Sequence, residues 1–156
     1  MDGVLYDRSN RLIAYPNSKE QEELKPEDFD KKTSQIEPWA FMNNKYLKRI
    51  ELPRGISRVR RASFSGADAL EEVILPVSVS YVENYAFDNC KNLKKVTVLN
   101  RNAKFEADRR GDDPLEENIF RDSSKDAVLC GYAGSTAEKY AEAHGLKFEV
   151  LEEEKK

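Results

Sequence analysis

The sequence predicts an α/β repeat solenoid, built of short parallel strands and closed at its C-terminal end by a capping helix and strand. Three observations predict it. Apolar residues recur at a fixed spacing of 23 positions. Within each unit they alternate in the manner of a strand with one buried face. After the repeats the pattern gives way to a helix-start signal, a helical apolar face and a final alternating run.

The repeat is legible column by column. Phe41, Phe64 and Phe87 lie 23 residues apart, as do Leu47, Leu70 and Leu93. Ile50, Val73 and Val96 keep the same register, as do Leu52, Leu75 and Val98. Ile36, Val59 and Val82 form a further column, which Phe105 continues; Pro53 and Pro76 match, and Leu99 breaks that series. Strand alternation puts Ile50 and Leu52 on one side and Arg49 and Glu51 on the other. The spacing predicts parallel strands over about 47–52, 70–75 and 93–98. One such unit cannot bury its apolar side alone; stacked units bury a continuous core between neighbours.

The C-terminal end carries its own signals. Ser135 and Glu138 form an S-x-x-E capping box, in which each side chain accepts from the other's backbone N–H. Ala137, Tyr140, Ala141 and His144 share one helical face, Gly145 supplies a left-handed stop, and Phe148 and Val150 alternate as a last strand. This helix and strand are placed to cover the open end of a solenoid.

The unit I-x-x-x-A-F-x-x-x-x-x-L-x-x-I-x-L-P contains L-x-x-I-x-L, the strand signature of leucine-rich repeats. The run Ala86-Phe87-Asp88-Asn89-Cys90-Lys91-Asn92-Leu93-Lys94-Lys95-Val96 resembles the BspA-type leucine-rich repeats of bacterial surface proteins. Cys90 then takes a repeat position that Asn44 and Ala67 hold in the other units, which favours a buried thiol. Gly3–Asp7 followed by Leu12–Pro16 is similar to the hairpin that precedes such repeats, with Asp7-Arg8-Ser9-Asn10 suited to its turn. Gly131–Ala141 is similar to the family's closing segment. The resemblance implies a right-handed superhelix with an N-terminal hairpin. The expected organisation is a single domain over 1–156: an N-terminal cap over 1–33, three 23-residue repeats over 34–104, an irregular fourth repeat with an insertion over 105–134, and a C-terminal cap over 135–151. The fourth Phe, due at Arg110, appears at Phe120. The charged stretches Asn17–Lys32 and Ala107–Glu117 are expected at the surface.

Composition narrows the function. The net charge of −3 recommends neither nucleic acid nor an anionic membrane. Hydrophobic residues are 39% of the chain, too many for a disordered one and fitting a small or elongated fold with much surface. No apolar run approaches the ~20 residues of a membrane span. The first residues lack the basic start and apolar stretch of a signal peptide, so the chain is either intracellular or separated from an export signal. Cys90 and Cys130 have neither the number nor the spacing of a disulfide framework or a zinc site.

Catalytic constellations are not evident. The single histidine, His144, lies on the apolar helical face with no nucleophile assigned near it. The acidic clusters Asp28/Asp30, Asp112/Asp113 and Glu152–Glu154 lack calcium-loop spacing. Stacking aligns Glu72 with Arg49 and Lys95, so no carboxylate pair forms across the strands. The basic run Arg54, Arg58, Arg60 and Arg61 has no exposed aromatic assigned to it, because Phe64 belongs to the core. Arg60-Arg61-Ala62-Ser63 looks like a basic-directed kinase site, yet Ser63 falls at an inward column.

The sequence therefore predicts a non-enzyme without cofactor or metal. The resemblance implies a protein-binding, adhesin-like module outside a bacterial cell or on its surface, meeting host extracellular-matrix or surface proteins, without membrane insertion. The alternative is a structural spacer within a longer array. A partner is expected on the concave sheet face. There Arg49, Glu72 and Lys95 form one row, Glu51, Ile74 and Thr97 the next, and Lys48, Glu71 and Lys94 run beside them. Ile74 is an aliphatic residue set among charges, the place of a contact anchor.

Overall fold

The structure, a computed structural model, describes residues 3–105 and 118–153. The insertion over Ala107–Glu117 lies outside the described residues. Two sheets of six strands each run along the solenoid. The first contains β1 (Leu5–Tyr6), β2 (Arg11–Ala14), β4 (Gln35–Ile36), β6 (Arg58–Val59), β8 (Tyr81–Val82) and β10 (Lys104–Phe105), in that order. The second contains β3 (Glu23–Leu24), β5 (Arg49–Glu51), β7 (Glu72–Leu75), β9 (Lys95–Val98), β11 (Val128–Gly131) and β12 (Lys147–Val150), also in order. Among the described residues only β1 and β2 pair antiparallel; every other pair of neighbouring strands is parallel, as turns wound in one direction require.

The strands of the second sheet fall where the 23-residue columns place them, with Arg49 opposite Glu72 and Glu72 opposite Lys95. They begin two residues later than the apolar pattern suggests. Leu47 sits in the preceding turn, where its N–H donates to Asn44 Oδ1 at 2.8 Å. The Ile36 column proves to be a second strand in each turn. The charged stretch 17–32 contains β3, which joins the second sheet beside β5.

The core follows from the repeat. Phe41, Phe64 and Phe87 are fully buried and stack at 4.9 and 5.2 Å between ring centroids. Tyr15 extends this file at 5.2 Å from Phe41, and Phe120 at 6.2 Å from Phe87. Phe120 therefore resumes the column interrupted at Arg110. Corner hydrogen bonds bind each turn to the next: Phe41 N–H to Ser63 O, Phe64 N–H to Ala86 O, and Phe87 N–H to Ile119 O. Two corner positions per turn are left-handed. One column holds Asn43, Gly66, Asn89 and Asp122, residue types that tolerate φ near +60°. The other holds Trp39, Ala62 and Tyr85, which do not favour it.

The N-terminal hairpin and the C-terminal helix and strand form where the sequence places them, with one change at the helix cap. The hairpin turns at Asp7–Asn10, where Asn10 has φ 58° and Asp7 Oδ1 accepts from Ser9 N–H at 2.9 Å. At the other end α1 (Thr136–His144) starts at Ser135, whose Oγ accepts from Glu138 N–H at 3.3 Å. Glu138 reaches past the cap residue to Gly134 N–H at 2.6 Å, because Ser135 N–H is already bound to Tyr132 O. Gly145 ends the helix at φ 63°. Ala137, Tyr140 and Ala141 are buried, and Phe105 stacks on Tyr140 at 4.5 Å. Phe148 packs on the core, whereas Val150 is exposed.

Candidate binding face

Parallel pairing in register turns repeat columns into rows on the outer side of the second sheet. The central row reads Glu23, Arg49, Glu72, Lys95 across β3, β5, β7 and β9. Arg49 bridges its neighbours: its Nη1 lies 2.9 Å from Glu23 Oε1 and its Nε 3.2 Å from Glu72 Oε2. Its Nη1 is also 3.7 Å from Glu51 Oε2. Lys95 turns away from Glu72 and meets Glu149 of β12 at 3.5 Å. In the parallel row Lys48 pairs with Glu22 at 2.9 Å, and Lys94 with Glu71 at 2.7 Å. That bond to Lys94 holds the Glu71 carboxyl below the usual carboxylate range.

The six residues expected at the binding face are brought onto it together. Arg49, Glu51, Glu72, Ile74 and Lys95 are half-buried. Ile74 stands opposite Glu51 on one side and Thr97 on the other. Thr97 is itself buried and stands opposite Cys130, so it offers little area to a partner. The charges alternate as expected except at Lys95, which β12 recruits. Glu22, Glu23 and Glu149 belong to the same surface and were not anticipated. Glu22 and Glu23 lie 26 residues before their partners, and Glu149 beyond the repeats, so the period of 23 does not reach them.

The first sheet carries a second set of charges. Arg60 lies 3.3 Å from both Glu37 and Glu83, and Arg58 lies 3.6 Å from Glu83. Tyr81 faces two cations, the Arg58 guanidinium at 4.7 Å and the Lys104 ammonium at 5.6 Å from its ring centroid. Arg58 and Arg60 of the basic run thus lie among acidic partners, with Arg58 over the Tyr81 ring. Its columns, Gln35/Arg58/Tyr81 and Glu37/Arg60/Glu83, were present at the period of 23, but polar columns give no sign of which side they face.

Ser63 is buried, with its hydroxyl donating to Arg60 O, so it is inaccessible to a kinase in the folded chain. The His144 ring lies against Tyr140, with centroids 4.2 Å apart and the planes tilted by 37°. Among the described residues no group of three His, Cys, Asp or Glu side chains is placed to hold a metal ion, and no helix is long and apolar enough to cross a membrane.

Both thiols are free and buried. Cys90 donates to Phe64 O at 3.1 Å, in the column where Asn44 accepts backbone N–H groups and Ala67 simply packs. Burial pushes the Cys90 thiol up to about 12 and that of Cys130 up to about 11. An unfolded thiol ionises near pH ~8.5. The folded pKa values are raised, so this contribution to stability is complete below pH ~8.5 and falls away as pH rises toward 11–12. Denaturant midpoints should therefore decline between pH 8 and 10.5. At pH 8 a thiol reagent should label neither cysteine until denaturant is added. Rapid labelling of the native chain would show that the thiols are accessible.

The repeat and the fold have counterparts among known proteins. The family model for the BspA type leucine rich repeat region matches residues 17–110, in six copies. No curated protein sequence matches the chain. The crystal structure of the pneumococcal vaccine antigen PcpA is similar over 97% of this chain and 47% of that one, at 19% identity and a TM-score of 0.58. The chain thus spans about half the length of that structure. A leucine rich cell surface protein from Faecalibacterium prausnitzii A2-165 is similar over 64% of this chain and 32% of that one, at 21% identity and a TM-score of 0.45. The repeat columns, the two parallel sheets and a family match covering more than half of the sequence lead to one conclusion: the chain belongs to the BspA-type leucine-rich-repeat family.

Proposed function

We propose that the chain is a non-catalytic protein-binding module displayed at a bacterial cell surface, and that it meets its partner on the outer face of the second sheet. Ile74 carries the reading. It is a half-buried aliphatic side chain at the centre of a surface of Arg49, Glu51, Glu72 and Lys95. An apolar centre within a mixed-charge rim is the usual anatomy of a specific interface. The surface placement is supported by family membership and by the likeness in fold to a vaccine antigen. Extracellular-matrix and host surface proteins are the partner class that this placement favours.

The test is binding of the purified chain to a panel of purified extracellular-matrix proteins, followed by substitution. Ile74→Asp and Lys95→Glu should each weaken the bound pair at least tenfold, the effect of losing about 1.4 kcal/mol. Their melting temperatures should stay near that of the parent, because Lys95 makes one surface ion pair, worth about 0–1 kcal/mol, and Ile74 points away from the core that Val73 and Leu75 fill. Normal binding by both variants would remove the face from the account.

A second reading has its own support. Arg49 is already bonded to Glu23 and Glu72, and Lys48 and Lys94 to Glu22 and Glu71. Such pairs stabilise a sheet without any partner, as a spacer within a longer array requires. A chain that binds nothing in the panel, and whose face variants lose stability, would fit the spacer.

A further inference from the structure

The two ends of the second sheet are finished differently. At the β3 end, the outward carbonyl of Glu23 accepts from Gln21 Nε2 at 2.9 Å. The N–H of Lys25 donates to Asp28 Oδ2 at 2.8 Å. Those side chains occupy the backbone groups that an incoming strand would use, a common guard on sheet edges. At the opposite end is β12, four residues paired with β11 along one edge only. Leu151 N–H bonds to Gly131 O at 2.7 Å, so strand alternation directs Glu149 N–H inward and both backbone groups of Phe148 and Val150 outward. Among the described residues nothing accepts from or donates to those outward groups. Residues 151–153 do not cover the edge: the Leu151 bond and the ion pair between Arg101 and Glu153 hold them toward the turn after β9.

We propose that β12 is a self-association edge, and that two copies of the chain pair there as antiparallel strands about a two-fold axis through Glu149. A second copy fits better than an unrelated peptide because the strand is complementary to itself. In this register Phe148 of each copy stands opposite Val150 of the other. The two residues that carry free backbone groups then exchange four hydrogen bonds. Val150, 50% exposed in the single chain, and the partly buried Phe148 become apolar cross-strand pairs. On the other face the two Glu149 side chains approach. Each already has Lys95 at 3.5 Å and lies diagonal to Lys147 of the second copy, so the opposing charge is present. The head-to-tail alternative, β12 on the β3 edge of the next copy, is opposed by the Gln21 and Asp28 guards. The pairing is isologous and closes at two copies. It joins the second sheets of both chains into one, with the charged rows running across the axis. The contact is small, so the dimer belongs to the weak class of interfaces and forms at roughly micromolar concentration or above.

The experiment reads mass and register together. Sedimentation of the full chain should show its mass doubling with concentration. Val150→Pro removes an outward N–H that bonds nothing within the chain, and Val150→Lys sets a charge against Phe148 while keeping the strand. Both should shift association to at least tenfold higher concentration, with melting temperatures near the parent's. Register is read by cysteine pairs under mild oxidant. Two copies of Glu149→Cys stand directly opposite, with Cβ atoms about 4.5–5.5 Å apart, and should crosslink rapidly. Two copies of Lys147→Cys are offset by four residues, about 13 Å, and should not. A mass independent of concentration would overturn the proposal. So would crosslinking of Lys147→Cys as fast as Glu149→Cys, or association that Val150→Lys leaves unchanged.

Discussion

Phe64→Ala is expected to lower the free energy of unfolding by about 3–5 kcal/mol. Phe64 is fully buried between Phe41 and Phe87, with both rings nearly parallel to its own at 4.9 and 5.2 Å. Alanine would forfeit the transfer energy of the ring and both stacking contacts, leaving a cavity that fixed corners cannot collapse into. Those corners are tied by backbone hydrogen bonds, Phe41 N–H to Ser63 O and Phe64 N–H to Ala86 O. A domain's stability is only about 5–15 kcal/mol, so the variant should melt far below the parent. Phe120→Ala, at the end of the file with its ring tilted and 6.2 Å from Phe87, should cost less. Guanidinium titration of the three proteins checks the ordering. Equal midpoints for parent and Phe64→Ala would mean that the file is not what joins the turns.

Leu70→Ala should cost about 2–5 kcal/mol. Leu70 is fully buried at the entry to β7, and the same column in the turns on either side holds Leu47 and Leu93, also buried. A cavity there is walled by both neighbours, and interior packing leaves nothing free to fill it. Val77→Ala provides the contrast, since Val77 is 59% exposed and should move stability by less than about 0.5 kcal/mol. A melting temperature for Leu70→Ala close to that of Val77→Ala would sink the inward assignment.

The second sheet was legible because its strands are three or four residues long in the central turns, enough for Ile50 and Leu52 to alternate with Arg49 and Glu51. The first sheet was not. A two-residue strand such as Arg58–Val59 has one inward residue and no alternation, so Val59 reads equally well as part of an irregular crossover. The left-handed corners were half legible: Asn43, Gly66 and Asn89 form a column of turn-forming residues, whereas Trp39, Ala62 and Tyr85 carry no compositional sign of positive φ. The rows of the candidate face followed from register alone. Their ends did not, because Glu23 and Glu149 come from outside the regular period. Which charges pair with each other is a matter of side-chain reach, and Lys95 chose Glu149 over Glu72.

Hydrogen bonds between turns run along the solenoid, from strand to strand and corner to corner. A pull applied to the two ends of the chain therefore loads the turns in series, each one unzipping from the next rather than shearing all at once. A turn of 23 residues drawn straight releases about 75–80 Å of chain. Tension at a surface would thus be met by successive lengthening in steps of one turn, so the molecule would behave as an extensible tether instead of a brittle rod.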